Sequence, residues 1–178
     1  SSRCVVEHNG LFFWAGTDNF YFYNGVVDVM VNTMNLRYFF DNIDMKYRQK
    51  VFGVKNKKYN EIWWFYPEKL GTPGRPMIGA NPIPEGTITK ALIYNLTENS
   101  WYDTQIVRDC GYWDNVTGNM YTYGCNLPPN TVLNTKYLWK HEYQDAVTKS
   151  VKEVVVSGPS RLINSSFTTP TMSWAAFN

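Results

Sequence analysis

Charge and histidine are both scarce in this chain. Asp, Glu, Lys and Arg make up 18% of its 178 residues, below the roughly 25% usual for soluble domains. Its two histidines, His8 and His141, lie far apart, and no Cys-x-x-Cys occurs, so a zinc site has little to work with. Gly-x-Ser-x-Gly, a phosphate-binding loop, a dinucleotide fingerprint and His-Glu-x-x-His are missing as well. These absences imply no cofactor and no metal, and they nominate no catalytic residue. No apolar run approaches the ~18 residues of a membrane helix. Glu7 and His8 interrupt the N-terminal run too early for a secretion signal. Asn95-Leu96-Thr97, Asn115-Val116-Thr117 and Asn164-Ser165-Ser166 therefore read as chance matches to the glycosylation pattern. The lack of an initiator Met points to a processed chain or a piece of a longer polypeptide. A net charge of +2 is too near neutral to announce a nucleic-acid binder by itself.

Cysteine is sparse too. Cys4, Cys110 and Cys125 leave at least one thiol unpaired. Cys110 and Cys125 end adjacent candidate strands and could face each other across a hairpin. The favoured reading is three reduced, packed thiols from a reducing cytosol.

Aromatic residues are abundant, 17% of the chain, and they suit the pleated, half-buried surface of a sheet. So many aromatics with so little charge also suggests surface hidden against partners. Short alternating runs at Cys4–His8, Leu11–Ala15, Asn19–Tyr23 and Val26–Val31 are separated by Asn9-Gly10, Gly16-Thr17-Asp18 and Asn24-Gly25. Asn-Gly between such runs predicts a type I′ hairpin, because both central residues need positive φ. A second set is expected at Lys50–Lys55, Glu61–Tyr66, Thr89–Leu96 and Ser100–Ile106. A third is expected at Gly111–Asp114, Met120–Gly124, Lys136–Tyr143 and Val151–Ser157. Five prolines between Pro67 and Gly86 predict a long surface loop with neither strand nor helix. Helix is expected only over Met34–Arg48, where Leu36, Phe39, Phe40 and Ile43 form one apolar face.

The fold class expected is all-β: a partial β-propeller of about three four-stranded antiparallel blades with one short connector helix. The blades would occupy about 1–33, 50–107 and 110–157, followed by an irregular segment 158–178. Propellers need roughly 4 to 8 blades to close, so the others would come from further sequence or from neighbouring subunits. A Greek-key sandwich is the structural alternative, disfavoured because the turns look like successive hairpins.

The candidate acids Asp41, Asp44, Asp103, Asp109 and Asp114 are each placed in turns or connectors, where Asp serves backbone hydrogen bonding more often than catalysis. Lys46, Arg48, Lys50, Lys55, Lys57 and Lys58 form a basic stretch without an acid among them. If extended, positions 46, 48 and 50 would share one side and could meet DNA phosphates or a partner. A solvated hairpin tip is the plainer reading. His141, beside Glu142 and aromatics, reads as a packing or hydrogen-bonding residue.

The series LFFWAGTDNFYFYNG, KVFGVKNKKYNEIWWFYPE, ALIYNLTENSWYD and YLWKHEY resembles tail proteins of short-tailed bacteriophages over roughly residues 4 to 145. The family resembled is that of tail nozzle (tail tubular protein B-like) or tail hub proteins. The resemblance implies a structural virion protein, assembled as a ring of identical copies, a hexamer in many members. Such a ring would bind a portal or adaptor and tail fibre or tip proteins, and would touch the DNA in the channel non-specifically. It implies a mechanical role in the virion tail, after assembly in the host cytoplasm, and no catalytic residues. The rival from another class is a carbohydrate-binding or glycan-cleaving β-propeller.

Overall fold

The computed structural model describes residues 1–31, 33–78, 81–125, 136–141 and 151–156. Their fold is mostly β, built on three four-stranded antiparallel sheets. The first is a meander of β1 (Val6–His8), β2 (Leu11–Ala15), β3 (Phe20–Tyr23) and β4 (Val27–Val29). Asn9 and Gly10 take φ of 54° and 79°, the I′ geometry that follows the twist of the strands. The second Asn-Gly behaves differently. Tyr23 pairs with Val27, so residues 24–26 form a three-residue loop, and of them only Gly25 is left-handed. Asn24 instead accepts the Val26 N–H on its side chain at 3.3 Å. The I′ turn expected there is corrected to a longer loop.

Helix α1 (Met34–Asn42) follows. It is shorter than expected. Ile43 turns to an extended conformation while its N–H still bonds Phe39 O at 2.9 Å. Asp44 then accepts the Lys46 N–H at 3.1 Å and opens a 3-10 turn over Met45–Lys50. Lys46, Arg48 and Lys50 are therefore not extended, and their predicted alternation on one side does not arise. The apolar face holds: Leu36, Phe39 and Ile43 are buried.

The second sheet comprises β5 (Phe52–Asn56) and β6 (Glu61–Pro67), then, after the tiny hairpin of β7 (Met77–Ile78) and β8 (Asn81–Pro82), β9 (Ile88–Asn95) and β10 (Ser100–Gln105). The order is β10-β9-β6-β5, again a meander. The Pro-rich insertion thus contains a two-residue ladder where no strand was expected. The Arg75 side chain holds the insertion together. Its guanidinium donates to Glu68 O (3.2 Å), Ile83 O (2.6 Å) and Pro84 O (3.0 Å).

The third sheet runs β11 (Cys110–Asp114), β12 (Asn119–Gly124), β13 (Lys136–His141) and β14 (Val151–Val156). Cys110 lies opposite Tyr123, so it does not face Cys125, and all three cysteines are free thiols. The segment 158–178 lies outside the described residues.

One hairpin device recurs. Asn56 pairs with Glu61, Asn95 with Ser100 and Asp114 with Asn119, which leaves four-residue loops. The opening side chain accepts a backbone N–H two residues on: Lys58 (3.2 Å), Thr97 (3.0 Å) and Val116 (2.9 Å). The closing residue is left-handed, with φ of 57° at Asn60, 51° at Asn99 and 64° at Gly118. Asn, Asp and Gly are the residues that tolerate these roles.

The second sheet packs on both faces. Ile62, Trp64 and Tyr66 join Val6, Phe13 and Phe20 of the first sheet. On the other side Phe52, Val54, Phe65 and Ala91 meet Met120, with Trp63 and Trp113 against them. Trp64 is fully buried, edge-on to Phe20 at 4.8 Å, and its Nε1–H donates to Cys4 O at 2.9 Å. Phe39 of α1 touches both sheets, at 5.0 Å from Phe20 and 4.5 Å from Tyr66. Burial of each such ring contributes about 1.5–3 kcal/mol.

Candidate functional site

The first strands of the three sheets lie side by side: β5 touches β1 on one flank and β11 on the other. Glycine makes the approach feasible. A β-carbon on Gly53 would collide with Val6 Cγ2, and one on Gly111 would stand 3.1 Å from Val54 Cγ2. Farther out, side chains still join the first two sheets, with Phe20 at 5.3 Å from Trp101, and a cleft of about 470 Å³ between them is lined by Phe13, Phe22, Met30, Tyr94 and Trp101.

At the end where β1, β5 and β11 begin, a cleft of about 410 Å³ is lined by Arg3, Lys50, Asp109 and Lys136, with Gly86–Ile88, Val107 and Cys125. One cation comes from each sheet or its lead-in. Arg3 Nη2 donates to Gln49 O at 3.1 Å and Lys50 Nζ to Gly86 O at 2.9 Å. Lys136 pairs with Asp109. Burial works against the Lys136 charge, but the Asp109 hydrogen bond and carboxylate outweigh it and hold the ammonium above its ordinary value. Burial and the Asp109 charge push the Cys110 thiol up.

The opposite end carries the hairpin tips. Lys55 pairs with Glu7 at 2.6 Å, and that hydrogen bond, helped by the Gly10 N–H, holds the Glu7 carboxyl below its ordinary value. His8 Nε2 bonds Asn60 Oδ1 at 2.6 Å, and Asn60 Nδ2 donates to Thr97 at 2.9 Å, tying the tips together.

The basic stretch is therefore divided. Lys46, Arg48 and Lys50 stand before β5, while Lys55, Lys57 and Lys58 lie at or past its far end. Five residues at about 3.3 Å each put roughly 17 Å between the groups. Lys46 is engaged by Glu85 at 3.3 Å. Arg48 is exposed beside a smaller cavity with Phe39 and Phe40. Lys57 is exposed, and Lys58 sits over the Tyr59 ring at 5.4 Å. Arg3 and Lys136, which complete the cleft, escaped the sequence reading. A spacing signal pointed to Arg3 alone of these two: a cation stands two or three residues before each first strand, at Arg3, Lys50 and Arg108, and the last of these does not line the cleft.

The candidate acids do not converge. Asp44 and Asp114 cap turns, Asp109 pairs with Lys136, and Asp41 offers its carbonyl to Lys69. Asp103 lies within β10, not in a turn, and pairs with Lys90 at 2.7 Å. Glu68, fully buried and singled out by no motif, accepts from Thr89 Oγ1 at 2.7 Å and the Tyr38 hydroxyl at 3.3 Å. Among the described residues no cluster of His, Cys, Asp and Glu could hold a metal ion, and no helix is long and apolar enough to cross a membrane.

His141 is buried in the third sheet. Arg108 Nε–H donates to Thr122 Oγ1 at 2.8 Å, and Thr122 Oγ1 lies 2.6 Å from His141 Nε2. Burial, with the Arg108 charge adding to it, pulls His141 down to about 3. The ring is neutral and structural, as its sequence surroundings suggested.

The first sheet turns an aromatic face outward. Phe12 pairs with Tyr23 and Trp14 with Tyr21, and these continue to Val27 and Val29 of β4. All six share the face opposite Phe13 and Phe20. Phe12, Tyr23, Val27 and Val29 are 42%, 41%, 57% and 48% exposed. No family model and no curated protein matches the chain.

Proposed function

We propose that the chain is a three-blade sector of a propeller-like ring protein in the tail of a short-tailed bacteriophage, of the nozzle or hub kind. There it seals and guides the DNA exit channel and anchors neighbouring tail proteins. The observation that carries this reading is the packing of three four-stranded meanders in chain order, with their first strands side by side. That is how propeller blades meet around an axis. Three blades leave the ring open, and the outward face on which Phe12, Tyr23, Val27 and Val29 are exposed is the kind of apolar surface that a partner covers. Copies of the same chain in a ring would cover it. The order of aromatic motifs that resembles the tail proteins agrees with this assembly.

A glycan-binding or glycan-cleaving propeller is the second reading, favoured by the exposed Tyr59 and Tyr112, which could stack on sugars. Negative-stain images of the concentrated protein, together with glycan-array and hydrolysis assays, separate the two. Closed rings without glycan capture support the tail reading. Isolated particles that retain or cleave a glycan overturn it.

A further inference from the structure

We infer that the cleft lined by Arg3, Lys50 and Lys136 is an anion site that takes a phosphate group, free or in a nucleic-acid backbone. The inference stands on the cleft alone and does not need the tail reading.

Three cations and one carboxylate line this cleft. The carboxylate, Asp109, is engaged by Lys136, so Arg3 and Lys50 carry charge that no acid of the cleft neutralises. Glu85, next in sequence to the wall residue Gly86, is drawn away by Lys46 at 3.3 Å. Both cations are held in place by backbone carbonyls, Arg3 at Gln49 O and Lys50 at Gly86 O. A guanidinium has five N–H donors and an ammonium three, so one bond to the backbone anchors each group without exhausting it. An Arg fork beside a Lys point charge is the pairing that phosphate favours. The cations come from the lead-ins to the first two sheets and from a strand of the third, so the site exists only in the folded, stacked arrangement. A phosphate bound there would join the lead-ins of β1 and β5 to β13.

Calorimetric titration with inorganic phosphate at low salt tests this, alongside a short DNA duplex. The proteins compared are the wild type, the double variant Arg3→Gln/Lys50→Gln, and a control with Lys57→Gln/Lys58→Gln at the opposite end. Wild type and control should bind phosphate alike, and the cleft variant should bind on the order of tenfold more weakly or worse. Arg3→Lys, which keeps the charge, should retain part of the affinity and shows that loss is not misfolding. If the duplex also binds, its salt slope should fall by about 1 in the cleft variant, for the one phosphate no longer held, naming a nucleic-acid backbone as the source. Binding of inorganic phosphate alone names a free phosphoryl ligand. Absence of binding with both probes, or equal binding by the cleft variant, overturns the inference.

Discussion

Val6 Cγ2 occupies the space that a β-carbon on Gly53 would need. The two residues belong to the first strands of successive sheets, so this contact sets how closely those sheets approach. Gly53→Ala forces Val6 or the neighbouring Trp64 ring to move, at a cost of about 1–3 kcal/mol. Val6→Ala removes the obstructing methyl group. Urea denaturation of the two single variants and the double should give a coupling of about 0.5–3 kcal/mol, with the double less damaged than the sum. Additive effects would mean that the strands are not in contact.

His141 makes stability depend on pH in a defined direction. Its folded value is near 3 and its unfolded value near 6.5, so between these limits the unfolded chain binds the extra proton. Stability is complete above the unfolded value and declines as pH falls toward the folded one. At about 1.4 kcal/mol per unit, the loss between pH 6 and pH 4.5 is on the order of 2 kcal/mol. His141→Gln should flatten this part of the profile in chemical denaturation. An unchanged slope would place the imidazole in solvent.

Arg75 fastens the insertion between β6 and β9 by three carbonyls. Replacing it with Met leaves those groups without their charged donor, and local opening should increase tenfold or more. Trypsin cleavage after the exposed Lys69, followed by mass spectrometry, reads this directly. Arg75→Met cut no faster than wild type would show that the prolines alone hold the segment.

Much of the sheet structure was legible in the sequence because its signals are local. Alternation located β2 and β6 to within a residue at either end, and Asn9-Gly10 chose the turn its backbone adopts. What escaped depends on contacts distant in sequence. Asn24-Gly25 has the same letters as Asn9-Gly10, yet the register of β3 with β4 adds a residue to the loop. Lys46, Arg48 and Lys50 look like a strand edge until Asp44 caps a 3-10 turn. The cleft brings Arg3 and Lys136 together from opposite ends of the described chain, and no spacing rule reaches that far. Glu68 follows a proline and looks like a loop residue, although folding buries it completely.

The outward aromatic face of the first sheet decides whether this is one sector of a ring. Sedimentation velocity across a concentration series, on wild type and on Phe12→Asp/Tyr23→Asp, addresses it most directly. Wild type should associate with rising concentration, and the double variant should stay monomeric with unchanged circular dichroism. A wild type that stays monomeric throughout, or a variant that associates equally well, would contradict the account.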